Sequence, residues 1–108
     1  MKVSFDWDST LAEDRQQKIA SKFIAEGHQV WIVTSRSENP PLWVDWSNKI
    51  LFKTAEKLGI PKERIVFTGG VGKWEFLKDF DIHFDDDQIE IEEIEKNTNC
   101  VGVLIFDP

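Results

Sequence analysis

Two aspartates two residues apart, Asp6 and Asp8, follow the apolar run Val3-Ser4-Phe5 and are succeeded at once by Ser9 and Thr10. Carboxylates this close raise each other's pKa unless a cation neutralises them, and a hard divalent ion is the usual partner of such an oxygen cluster. Alternate residues of an extended segment point the same way, so Asp6 and Asp8 address one site if the strand geometry persists that far. Taken alone, the pattern fits a surface turn as well, because Asp and Ser are common there. Three further groups decide between the two. Thr34, Ser35 and Arg36 follow the apolar run Val30-Trp31-Ile32-Val33. Lys73 follows Ile65-Val66-Phe67 and a glycine-rich turn, and Asp85, Asp86 and Asp87 follow Ile82-His83-Phe84.

The elements that must position these groups read as strands alternating with helices. A first helix is expected from Thr10, where Thr10-Leu11-Ala12-Glu13 matches a capping box and apolar residues recur at Ala12, Ile19, Ala20, Phe23 and Ile24 up to Gly27. A second strand, Val30 to Val33, is apolar on both faces, as in a parallel sheet covered on both sides. Residues 37–48 form the one long irregular stretch, with Pro40-Pro41 excluding a regular helix. A second helix runs from Lys49 to Leu58 and stops at Gly59-Ile60-Pro61. Strand three is Ile65 to Phe67, and a brief helix over 73–79 leads to strand four at Ile82 to Phe84. A helix over about 88–96 and a strand from Val101 to Phe106 close the chain. This order gives an α/β fold, a parallel sheet with right-handed crossovers, in one domain spanning residues 1–108. In such sheets ligands bind outside the carboxyl ends of the strands. The acids, the hydroxyls and the lysine all fall at those ends.

Composition narrows the function classes. The net charge of −7 opposes general affinity for nucleic acid or an anionic membrane, since both call for an excess of Lys and Arg. The single cysteine, Cys100, permits no intrachain disulfide and reads as an inert core thiol. An acid as early as residue 6 leaves no signal-peptide apolar region, and no run approaches membrane-spanning length, so a soluble, cytoplasmic protein is expected.

In this register the residues resemble the haloacid dehalogenase-like (HAD) hydrolase superfamily over nearly the whole chain. An apolar strand then D-x-D-x-T is matched by Val3 to Thr10, and an apolar strand then Ser or Thr by Trp31 to Thr34. A lysine at a helix start after strand three is matched by Lys73, and an apolar strand then an acidic pair by Ile82 to Asp86. The resemblance implies a Rossmann-like three-layer sandwich with strand order 3-2-1-4-5, and a Mg²⁺-dependent phosphatase working through an aspartyl-phosphate. It implies Asp6 as nucleophile and Asp8 as general acid and base. Thr34 and the amides around Trp7 and Ser35 would bind the phosphoryl oxygens, with Lys73 as a point charge among them. Mg²⁺ would be held by Asp6, the Asp8 carbonyl and Asp85, with Asp86 acting through water or orienting Lys73. Asp87 is expected to cap the following helix.

The chain departs from the family in three places. Ser9 stands where glycine is frequent, no room is left for a β-hairpin flap, and no insertion is long enough for a cap domain. A bare site suits a bulky or macromolecular substrate. Arg36 is a candidate substrate contact. For Trp43 and Trp46 two readings stand: packing against the second helix, or a platform for a ring-bearing substrate such as a nucleotide or nucleic-acid end. His28 and His83 read as structural, and Glu90, Glu92, Glu93 and Glu95 as a solvated helix face. A P-loop is excluded because Phe67 and Trp74 occupy positions that it reserves for Gly and Ser or Thr. A phosphorelay receiver is opposed because Phe67-Thr68, not Asp, ends strand three. The competing function class is a non-catalytic binding module on the same fold.

Overall fold

The computed structural model describes residues 1–106. Its five strands are β1 (Lys2–Phe5), β2 (Gln29–Thr34), β3 (Ile65–Phe67), β4 (Ile82–Asp85) and β5 (Val101–Leu104), all parallel, in the order β3-β2-β1-β4-β5. The helices are α1 (Asp14–Ala25), α2 (Lys49–Leu58) and α3 (Gln88–Asn97). No described helix is long and apolar enough to cross a membrane.

Strand alternation divides the core into two layers around the sheet. Val3 and Phe5 of β1 and Val30 and Ile32 of β2 pack with Ala20 of α1 and with Leu51 and Ala55 of α2. Trp31 and Val33, one residue out of phase, join Leu77, Phe80, Ile94 and Cys100 on the opposite face. Burial pushes the Cys100 thiol up to about 11, so it stays protonated, as an inert core thiol should. The same alternation has a second consequence at the centre of the sheet. On β1 and its extension Ser4 and Asp6 share one face, and on β4 His83 and Asp85 share one face. A polar column therefore runs up the two central strands, toward their carboxyl ends.

Boundaries follow the sequence reading at α2 and β3, where expected and observed limits coincide. Gly59, at φ 82, ends α2 in the left-handed conformation that glycine adopts without a Cβ clash. The first helix does not begin at Thr10. Trp7–Leu11 instead forms a wide turn, with Leu11 N–H bonded to Asp6 O and Ala12 N–H to Trp7 O, and α1 starts at Asp14. Thr10 is no cap: its hydroxyl lies 3.5 Å from Asp6 Oδ2. The helix expected over 73–79 is a 3₁₀ turn, Lys73–Phe76, and β5 stops at Leu104 rather than Phe106.

Candidate active site

Asp6 sits one residue past β1, its N–H bonded to Phe84 O of β4, so the backbone of the two central strands fixes its place. The 3₁₀ turn after the glycine-rich segment lowers Lys73 onto the same point. Lys73 is 2% exposed, with Nζ 2.8 Å from Asp6 Oδ1 and 2.6 Å from Asp85 Oδ2. Asp85 is fully buried and takes three donors: Lys73 Nζ, the His83 ring and, on Oδ1, the Asp87 N–H at 3.1 Å. Asp85, not Asp86, therefore orients Lys73, which corrects the alternative role expected for Asp86. Asp86 is exposed, yet one of its oxygens lies within 4.8 Å of ligand atoms on Asp6 and Asp85.

One ammonium among three carboxylates leaves the cluster short of positive charge. The pKa shifts record that shortage. Burial raises the Asp6 carboxyl to about 7 against the pull of Lys73, and the charges of Asp85 and Asp86 add to the rise. Burial also opposes the charge on Lys73, but Asp6 and Asp85 outweigh it and hold the ammonium above the ordinary lysine value. Asp85 resists burial through the His83 hydrogen bond and the Lys73 charge, and stays ionised down to about 2. His83 is driven below the ordinary imidazole value by burial, so it is neutral at pH 7. The residues fit a hard divalent cation: the donors are carboxylate oxygens, and Asp6 Oδ2 and Asp85 Oδ1 have no contact with Lys73. Asp8 is not one of the three acids of this cluster.

Asp8 is engaged elsewhere. Arg36 grips it with two hydrogen bonds, Nη2 to Oδ1 at 2.7 Å and Nε to Oδ2 at 3.0 Å. The remaining guanidinium donor with a partner, Nη1, reaches Ser47 O and Asn48 Oδ1. Trp46 lies 4.8 Å beneath the guanidinium carbon. Arg36 thus ties Asp8 to the far end of the 37–48 loop. Trp46 is half-buried in that role. Trp43 is 85% exposed, so packing against α2 is not its place.

A cleft of about 540 Å³ opens over the cluster, lined by Asp6, Asp8, Ser35, Lys73, Asp86 and the first turn of α3 through Glu90. Ser35 reaches this wall. Thr34 is fully buried beside it, its hydroxyl accepting the Arg36 N–H at 3.2 Å. Trp7 is buried in the core, so only its backbone faces the turn around the site. Neither Trp43 nor Trp46 lines the cleft. Glu90 does, and its Oε2 accepts the Lys73 backbone N–H at 3.2 Å, so this acid of α3 is not part of a solvated face. No local pattern in the sequence signals this contact, which joins residues 17 apart. Asp87 caps α3 as expected, accepting from the Ile89 and Glu90 amides.

Ser9, in the turn between Asp8 and Thr10, has φ 58. The left-handed backbone explains why glycine suits this position, and a serine there carries strain. A scan against models of protein families and a search of curated proteins both find no match for the chain.

Proposed function

We propose that the chain is a Mg²⁺-dependent phosphatase of the HAD type, hydrolysing a phosphomonoester through an aspartyl-phosphate on Asp6. The observation that carries this reading is the buried Asp6–Lys73–Asp85 cluster, short of positive charge and open to the cleft through Asp6 and Lys73. Asp6, Asp85 and Asp86 would hold the ion, which when bound screens the repulsion between a carboxylate and a phosphate dianion. Asp6 attacks phosphorus, forming a carboxylate–phosphorus bond as the bond to the leaving oxygen breaks. Lys73 has a third ammonium hydrogen beyond those given to Asp6 and Asp85, and directs it at a phosphoryl oxygen. Asp8 protonates the leaving oxygen and then takes a proton from the water that cleaves the acyl phosphate. To carry that proton it gives up at least one of its two bonds to Arg36.

The charge of the cleft bears on the substrate. Asp86, Asp87 and Glu90 line it, and the one cationic lining residue, Lys73, is held by Asp6 and Asp85, so a second anionic group finds acids rather than a free cation on the described wall. This favours a phosphomonoester with one anionic group over a nucleic-acid end. Purified protein should release phosphate from an aryl phosphate with Mg²⁺ and stop when EDTA is added. Asp6→Asn should lower turnover to background without lowering the melting temperature. Undiminished turnover in that variant overturns Asp6 as nucleophile, and no Mg²⁺-dependent turnover in the wild type leaves the binding module as the better reading.

A further inference from the structure

Two polar side chains interrupt the sheet where it is most deeply covered. Ser4 and His83 are register partners on the central strands β1 and β4, and neither has any exposed surface. Polar groups taken out of water at such a place are unfavourable unless hydrogen-bonded, and an apolar pair would carry no such penalty. Both are bonded: Ser4 Oγ is 2.7 Å from His83 Nδ1, and His83 Nε2 is 2.8 Å from Asp85 Oδ2. A carboxylate can only accept, so Nε2 carries the ring proton and donates it. Nδ1 of that tautomer is an acceptor, and the Ser4 hydroxyl donates to it. The chain Ser4–His83–Asp85–Lys73–Asp6 is therefore continuous, buried and directional.

Neutralising Asp85 does not require the imidazole, because Lys73 already lies 2.6 Å away. What His83 adds is a second donor on the same oxygen. Oδ2 is then saturated by Nζ and Nε2, while Oδ1 accepts one amide hydrogen, from Asp87. The carboxylate cannot rotate to exchange its oxygens without breaking three bonds. Its one unused lone pair is thereby confined to Oδ1.

We propose that His83, its tautomer set by the Asp85 carboxylate and its Nδ1 held by the Ser4 hydroxyl, is a positioning residue that keeps the Oδ1 lone pair of Asp85 presented to the divalent cation shared with Asp6 and Asp86. This rests on the phosphatase reading only in needing the cation. The test is Mg²⁺ titration of the metal-free full chain, followed by calorimetry, with circular dichroism as a check of folding. His83→Phe keeps a ring of similar size without the donor, and should weaken Mg²⁺ binding about tenfold or more, the usual effect of removing a group that orients a metal ligand. His83→Gln restores an N–H donor and should recover most of that loss, whereas a space-filling role would not distinguish the two. Ser4→Ala leaves the buried Nδ1 without its hydrogen-bond donor, loosens the hold on the ring and should weaken binding several-fold. Nitrogen-15 spectra of the wild type should show the ring protonated at Nε2. Wild-type affinity in His83→Phe, or a ring protonated at Nδ1, overturns the proposal. Should His83→Phe fail to fold, His83→Leu, which also lacks the donor, takes its place: a loss that His83→Gln does not share supports the donor to Asp85, wild-type affinity in His83→Leu or an equal loss in both overturns it, and unchanged affinity in Ser4→Ala overturns the part given to Ser4. A wild type that binds no Mg²⁺ defeats the metal reading itself; wild-type binding indifferent to His83 defeats this inference alone.

Discussion

Lys73→Met removes the one ammonium from a cluster of buried carboxylates, and its effect can be worked out in size and in pH dependence. Methionine keeps the length of the aliphatic stem, so little packing is lost, but Asp85 keeps its charge without the ammonium, and Asp6 can ionise only against its burial. Removing one member of a buried ion pair destabilises by about 3–5 kcal/mol. For a domain of this size each kcal/mol shifts the melting temperature by about 4 °C, so a fall of roughly 12–20 °C is expected. The sign of the pH dependence follows from Asp6, whose carboxyl in the folded chain is raised to about 7 from an ordinary value of 3.8. A raised carboxyl holds a proton that the unfolded chain releases, so folded stability falls as pH rises from about 4 to about 7. Lys73 is the main influence restraining that rise. Without it the falling limb extends above pH 7, and the variant loses more against wild type at pH 8 than at pH 5.5. Thermal melts by circular dichroism in EDTA, at both pH values, measure this. Added Mg²⁺ should return part of the loss, by supplying the missing positive charge. A fall under about 3 °C that is the same at both pH values would refute the account of the cluster as carboxylates held by one ammonium.

Two other outcomes are expected. Ile89→Lys places a cation on the acidic wall of the cleft, and should raise kcat/KM for a phosphomonoester bearing a second anionic group about fivefold relative to a neutral one, from a Coulomb energy of roughly 1 kcal/mol; an equal change on both substrates would show that this wall does not face the leaving group. Ser9→Gly relieves the left-handed serine and should raise stability by about 0.5–1 kcal/mol after the added entropy of the unfolded chain, read as a higher melting temperature; no rise would mean that the turn carries no strain.

Much of the fold was legible because local chemistry and tertiary packing agree. Lys49 to Leu58 has its apolar period and a glycine that ends it in the left-handed region, and nothing distant alters either. The carboxyl ends of β1 to β4 were legible for the same reason, since each of those apolar runs stops at a polar residue, whereas β5 ends at Leu104 although its apolar run continues to Phe106. The turn after Asp6 was not. Thr10 and Glu13 carry a capping pattern, but Trp7 and Leu11 are drawn into the core, and the wide turn that this demands delays the helix to Asp14. Within the site, the polar types and their order were readable, but their pairing was not. Lys73 joins Asp85 rather than Asp86 because strand alternation turns Asp85 inward with His83 and leaves Asp86 outside. The partnership of Ser4 with His83 depends on the register of β1 against β4, across 79 residues of chain, which no local pattern specifies. Trp43 and Trp46 could not be separated by type alone; the guanidinium of Arg36 distinguishes them.

The two ends of the 37–48 segment are fastened independently of its tip. Asn48 donates through Nδ2 to both Ser37 O and Glu38 O at 2.9 Å, and Arg36 reaches Ser47 O from the same side. Leu42 and Trp43, at the tip, stand clear of the body. A loop closed at its base in this way has already met the entropy of bringing its ends together, and lengthening it adds only slowly to that cost. The tip is thus a socket for engineering: a folded insert placed between Pro41 and Asp45 would be carried on a fixed stem beside Asp8, and could give this open cleft a roof without disturbing the sheet that holds its charges.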